Sequence, residues 1–309
     1  MHIGLIGWGT MGRALGELVA TGPLPVRLVR VAVRDTARAL AHAPPPGVDI
    51  GLVDDLLADE RLDAVVELSG GIEEPLRWAR STFARGLPYV TGNKALLATH
   101  GGELAELATR NGAALLASAS VGGATPMIET VDHLSASGRI ARLRGLLNAT
   151  TTYLLAAMSA GHAYQDALVA AQQAGYAEPD PSFDVEGRDA AQKIAILASV
   201  AWGGWRPERD VETRGIVGHH VPPGATVRLV AEADPRGMRV GPMELSADEP
   251  MASVAGIECL LEIELADGAL VRISGPGAGG PVSVGATYAD LARLVTGERP
   301  VLFAGRSAP

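Results

Sequence analysis

The sequence predicts an α/β domain built on a parallel sheet, followed by an α+β domain, and three observations carry that expectation. Residues 2–6 read as a short buried strand that runs through glycines at 7, 9 and 12 into a stretch with helical apolar spacing at Leu15, Leu18 and Val19. Strand-like and helix-like stretches then alternate as far as residue 125, the pattern of a parallel sheet covered on both faces. Beyond Pro126 the texture changes, and between 226 and 273 alternating strands dominate, including a hairpin around Ala266-Asp267-Gly268.

Taken in order, the first part gives strands at 2–6, 26–33, 63–68, 87–91 and 114–117, with helices at 36–42, 74–85 and 101–111 between them. The second part gives a helix from 127, a strand at 141–147, a helix through 156 and helices at 164–175 and 187–200. Its hairpin pairs 259–265 with 269–273, and 286–294 reads as a terminal helix.

The 309 residues are 47% hydrophobic, enough for a full core in one or two domains. A net charge of −9 offers no basic footprint for nucleic acid or an anionic membrane, which leaves small-molecule chemistry as the expected work. A lone cysteine, Cys259, excludes an internal disulfide and a cysteine zinc cage. With no signal-like start and no apolar run of spanning length, a soluble cytoplasmic protein is expected. Of the 26 basic residues only Lys94 and Lys193 are lysines. A chain so biased to arginine keeps lysine by accident, or where a short ammonium is needed and a guanidinium fork would not serve.

Gly7-x-Gly9-x-x-Gly12 between a strand and a helix is the glycine turn of a Rossmann nucleotide-binding unit. There the backbone of Gly7, Gly9, Thr10, Met11 and Gly12 approaches a pyrophosphate; a packing turn is the plainer alternative. At the end of the next strand Arg34, with Arg38 one turn on, suits the 2′-phosphate of NADP, whereas Asp35 would suit NAD. Ser69 and Gly70 end another parallel strand, where they either line the cofactor or form a serine-capped loop. Lys94 follows the strand after that, again at the ligand-binding edge. Asp189 and Lys193 stand four apart on one face of an apolar helix, so Lys193 is either a partly desolvated acid/base beside a carboxylate or one half of a surface ion pair. The glycine-rich run 275–281 is either a close backbone approach to a ligand or a hinge.

These residues together resemble homoserine dehydrogenase. The matching stretches are the glycine turn, VTGNKALLATHGGEL at 90–104, ASVGGATPMIE at 119–129, GLLNATTTYLL at 145–155, AGYAEPDPSFDVEGRDAAQKIAILAS at 174–199 and GPGAGGP at 275–281. The resemblance implies NAD(P)-dependent interconversion of L-homoserine and L-aspartate 4-semialdehyde, serving threonine and methionine biosynthesis. It implies a Rossmann domain at 1–125, an α+β substrate-binding and dimerisation domain at 126–282, a C-terminal helix at 283–309 packing back on the first, and a homodimer without a regulatory ACT domain. Matched position by position, Lys193 is the acid/base, with Asp189 and Lys94 beside it in the catalytic set. Glu178, Asp184 and Asp189 hold the amino-acid substrate, and Gly279 approaches the nicotinamide.

Departures from the family pattern bear on the rest. Ser118 replaces a glutamate that helps to hold a structural sodium ion, leaving only the carbonyls of Val121, Gly123 and Thr125 as implied ligands. Ala149 and Thr152 alter the substrate-side loop Asn148–Tyr153, the segment 213–228 is short, and Arg228 takes an approximate lysine position. A dehydrogenase of a related amino-acid aldehyde or alcohol, or a non-catalytic NAD(P)-binding sensor, is therefore an alternative.

Overall fold

The computed structural model describes residues 1–33, 44–277 and 280–304 and divides the chain into two units, 1–123 with 280–309 and 124–279. In the first unit β1 (His2–Ile6), β2 (Arg27–Ala32), β3 (Asp49–Gly51), β4 (Ala64–Glu67), β5 (Tyr89–Thr91) and β6 (Leu115–Leu116) form a six-stranded sheet in the order β3-β2-β1-β4-β5-β6. The described ladders of this sheet are parallel. That is the doubly wound order, with its switch point between β1 and β4. The strands bury Ile3, Leu5, Val31, Val66 and Val90, against which α1 (Thr10–Thr21) lays Leu15 and Val19.

Three differences from the sequence reading have physical causes. Strand β3 and helix α2 (Val53–Ala58) were not expected, being three and six residues long, too short to show a period. Helix α3 (Glu73–Ala84) falls where expected, but the next helix, α4, spans Lys94–Arg110 and so starts seven residues before the expected 101. Gly101-Gly102 looks like a boundary on propensity, yet Leu96, Leu97, Gly101 and Leu104 are buried, and packing overrides propensity there. The expected helix at 36–42 lies outside the described residues.

In the second unit α5 (Met127–Ser135) precedes β7 (Ile140–Leu146), followed by α6 (Ala149–Ser159), α7 (Tyr164–Gln173), the single turn α8 (Ser182–Val185) and α9 (Arg188–Trp202). Strands β8 (Val211–Thr213), β9 (Thr226–Asp234), β10 (Gly237–Leu245), β11 (Glu258–Leu265) and β12 (Leu270–Pro276) complete a mixed sheet in the order β12-β11-β7-β9-β10-β8. Helices α6 and α9 pack on it. The hairpin β11–β12 is present, with Gly268 at a positive φ in its turn. Helix α10 (Gly280–Val295) returns to the first unit, where it contacts α1 and β5. It begins earlier than the expected 286, because Gly-Pro is a poor helix interior but a good first turn. Asp290 of α10 is buried and accepts hydrogen bonds from the backbone N (2.9 Å) and Oγ (2.5 Å) of Ser118. Among the described residues no helix is long and apolar enough to cross a membrane.

The mixed sheet carries an alternating charge ladder. Register places Arg272 opposite Glu262, Glu262 opposite Arg144, Arg144 opposite Glu232 and Glu232 opposite Arg239, so five strands present one row on one face. Glu232 is buried among Arg142, Arg144 and Arg239. Burial alone would raise its carboxyl pKa, but the Arg239 and Arg142 guanidiniums outweigh that and hold it below the usual range. Glu232→Gln is expected to cost about 1–3 kcal/mol in urea denaturation at neutral pH, the arginines being partly solvated. A lowered pKa stabilises above the ordinary carboxylate range and is lost as pH falls through the lowered value, so the gap between variant and wild type should close in acid.

Candidate active site

In the first unit the glycine turn leaves β1 at the switch point, the edge where open parallel sheets bind ligands. Gly7 has φ +102°, open to glycine and strained for other residues. A Cβ on Gly12 would stand 2.0 Å from the carbonyl oxygen of Gly7, so only glycine lets the helix start so close to the turn. Gly9 and Thr10 are exposed, a Cβ on Gly9 would meet nothing within 4 Å, and no side chain caps α1. The first amides of α1 thus form an uncapped, positively polarised end over open backbone, which fits a dinucleotide pyrophosphate. Arg34 and Gly279, expected to read the 2′-phosphate and the nicotinamide, lie outside the described residues.

Ser69 and Gly70 are organised around a buried carboxylate. Glu67, fully buried at the end of β4, accepts on one oxygen from Ser69 N (2.7 Å), Ser69 Oγ (2.8 Å) and Gly70 N (3.0 Å). Its other oxygen accepts from Thr91 Oγ1 at 2.7 Å. The Ser69 and Gly70 amides are thus engaged by the Glu67 carboxylate, which satisfies the buried acid. Asn93 extends the stitching: its Nδ2 donates to Gly71 O (2.7 Å), and its Oδ1 accepts from Leu96 N (3.1 Å), capping α4. Lys94 is the first residue of that helix, at the carboxyl edge of β5. Sequence reasoning missed Glu67 as an organiser; an acidic residue ending an all-apolar strand was the available signal.

The second unit gathers the other candidates at the corner where β7 passes into α6. Asn148 is the N-cap of α6, while Gly187, at φ +83°, makes the left-handed turn joining α8 to α9. That turn brings Asp184 and Asp189 to the same asparagine: Asn148 Nδ2 donates to Asp184 Oδ1 at 2.6 Å and to Asp189 Oδ2 at 2.9 Å. Thr150 Oγ1 lies 2.9 Å from Asp184 Oδ2 and 2.8 Å from Tyr176 O, sharing its one proton between them.

Lys193 completes the cluster. Its Nζ is 2.7 Å from Asp189 Oδ2 and donates to Leu147 O at 2.7 Å, and the side chains of Lys193 and Asp189 are only 12% and 8% exposed. The surface ion pair is thereby excluded. Burial by itself pushes the amine pKa down, but the Asp189 carboxylate, with Cys259 and Asp184 adding to it, holds the ammonium above the usual lysine value. Cys259 is buried nearby, its thiol pushed up by the same desolvation. A Cβ on Gly277 would stand 1.9 Å from the Cys259 sulfur, so the start of the glycine-rich run packs directly on that thiol.

Other expected residues stand apart from this cluster. Glu178 is exposed on the loop before α8, and its carbonyl accepts from Gln172. Arg228 is buried on β9, giving its guanidinium to the carbonyls of Val254, Val227 and Ala252 rather than to Lys193 or its partners. The sodium site fits poorly: Ser118 is spent on Asp290, and the carbonyl of Thr125 accepts from Met127 N at 2.7 Å. Among the described residues no three His, Cys, Asp or Glu side chains are grouped to hold a metal.

A dinucleotide cradle on one unit and a buried lysine–carboxylate pair on the other define a nucleotide-dependent oxidoreductase. The family model "Homoserine dehydrogenase, NAD binding domain" matches residues 7–118, and "Homoserine dehydrogenase" matches 126–292. The chain is 34% identical to the homoserine dehydrogenase of Synechocystis sp., covering 96% of this chain and 73% of that one. A homoserine dehydrogenase from Thiobacillus denitrificans superposes with a TM-score of 0.91 at 29% identity, over 100% of this chain and 79% of that one. A hyperthermophilic archaeal homoserine dehydrogenase solved in complex with NADPH gives a TM-score of 0.84 at 29% identity, over 97% and 99% of the two chains. The chain belongs to the homoserine dehydrogenase family and is an NAD(P)-dependent oxidoreductase of amino-acid biosynthesis.

The cradle yields a direct test. Gly12→Ala forces a methyl group onto the Gly7 carbonyl, so titration of the nicotinamide fluorescence should show NADPH affinity weakened at least about tenfold. Unchanged affinity would show that the turn does not hold the cofactor.

Proposed function

We propose that the enzyme interconverts L-homoserine and L-aspartate 4-semialdehyde with Lys193 as the proton donor and acceptor at the substrate's terminal oxygen. The observation that carries this is the buried Lys193–Asp189 pair at 2.7 Å. Two of the ammonium's three N–H directions go to Asp189 and Leu147 O, which leaves one for the alcohol or aldehyde oxygen. The bound nicotinamide supplies or receives the hydride.

In reduction the ammonium hydrogen-bonds the carbonyl oxygen, polarises it and gives up its proton as the alkoxide forms; in oxidation the neutral amine takes the hydroxyl proton. Asp189 orients Lys193 and offsets its charge, Asp184 shapes the pocket, and Glu178, exposed on its loop, pairs with the substrate ammonium. The uncapped end of α1, with Gly7, Gly9, Thr10, Met11 and Gly12, takes the pyrophosphate, and Lys94 completes the catalytic set. NADP is the preferred cofactor on the strength of Arg34 in the sequence, and NADPH in the archaeal relative is in keeping with it. The same reading gives the enzyme a homodimeric state, a cytoplasmic setting and a place in threonine and methionine synthesis. A light-scattering mass of one chain would count against the dimer.

Lys193→Ala is expected to lower kcat by about 10²- to 10⁴-fold in either direction while leaving NADPH affinity within about twofold. Because the amine pKa is raised, the proton-donating form prevails through neutral pH, so reduction should hold steady there while oxidation climbs toward alkaline pH. An active Lys193→Ala enzyme would refute the assignment. Turnover of a different amino alcohol in preference to L-homoserine would keep the chemistry and move the substrate.

A further inference from the structure

Asn148 takes no part in the proton transfer itself, yet every hydrogen-bonding position of its side chain is engaged. Oδ1 accepts from Thr151 N at 2.8 Å and from Thr151 Oγ1 at 2.9 Å, while the two hydrogens on Nδ2 go to Asp184 Oδ1 and Asp189 Oδ2. This set fixes which way the amide points, since a flip would turn its oxygen against two carboxylates and its NH2 against an N–H donor. Asp189 Oδ2 is also the oxygen that holds Lys193.

We propose that Asn148 is the positioning residue of the acid/base pair: its one amide, anchored by Thr151, spans the Asp184 and Asp189 carboxylates and so aims the Lys193 ammonium. The inference rests on the assignment of Lys193 as acid/base. Two carboxylates on one nitrogen would repel each other if bare; the amide gives each a donor, Thr150 gives Asp184 a second, and Lys193 balances Asp189. The departures at Ala149 and Thr152 follow this asparagine without removing it, so the altered substrate-side loop retains its anchor. A displacement of about 1 Å at such an anchor costs about 100-fold in rate.

A plain helix cap would need only the acceptor Oδ1, and the two roles separate by substitution. Asn148→Asp keeps that acceptor but sets an anion where Nδ2 stood, between Asp184 and Asp189, with Lys193 held by Asp189, Cys259 acting on Lys193 and Glu258 on Cys259. Asn148→Ser keeps a short cap and removes the bridge. Semialdehyde reduction by Asn148→Asp should fall about 100-fold near pH 8 and recover to within about tenfold of wild type near pH 6, as the added carboxyl gains a proton and donates in place of the amide. Asn148→Ser should be impaired at both pH values, and both variants should keep wild-type NADPH affinity and a cooperative melt. Wild-type kcat in both variants, or a loss in Asn148→Asp that does not change with pH, would overturn the proposal. Lys193→Ala assayed alongside separates the two claims: if it is inactive while Asn148→Asp is unimpaired, only the positioning role fails, and if it is active, the acid/base reading fails.

Discussion

A buried ion pair is costly to build, and the second unit is arranged around one. Lys193 and Asp189 are withdrawn from water, and their attraction offsets that loss only if their remaining hydrogen-bonding positions are satisfied. The chain meets the requirement with groups distant in sequence: Leu147 O at the end of β7, Asn148 at the head of α6 and the turn at Gly187 that swings Asp184 toward Asp189. Each element of that corner is held by what the pair demands. A lysine so placed is a charged donor in low-dielectric surroundings, which is what carbonyl reduction asks of it.

The first unit solves a parallel problem with a single carboxylate. Glu67 is fully buried, and it is satisfied by two amides and two hydroxyls, from the loop after β4 and from Thr91 at the end of β5. It thereby ties together the loops at the cofactor edge and, through Thr91 and Asn93, the start of α4 with Lys94. Both units thus use buried carboxylates as joints between loops.

Much of this was legible in the residues. The glycine spacing after β1 announced the tight turn into α1 because steric limits there are strict, as Gly7 and Gly12 show. The i,i+4 spacing of Asp189 and Lys193 announced the pair because helical geometry brings that spacing to one face. What stayed hidden was long-range. Nothing local says that Asn148 reaches across to Asp184 and Asp189, or that Thr91 closes on the Glu67 carboxylate, since such contacts exist only once distant segments are brought together. The start of α4 was misplaced because Gly101-Gly102 has low helix propensity, and only the burial of that face shows why the helix persists.

The scarcity of lysine makes the central claim directly measurable. With lysine labelled at Cε with ¹³C, the chain gives two side-chain signals, from Lys94 and Lys193, and Lys193→Ala assigns them. Followed against pH, the Lys193 signal should titrate above the ordinary lysine value of about 10.4, and Asp189→Asn should bring it down as burial is left unopposed. A Lys193 signal that titrates at or below the ordinary value, and does not move when Asp189 is neutralised, would contradict the account of a carboxylate-held ammonium at this site.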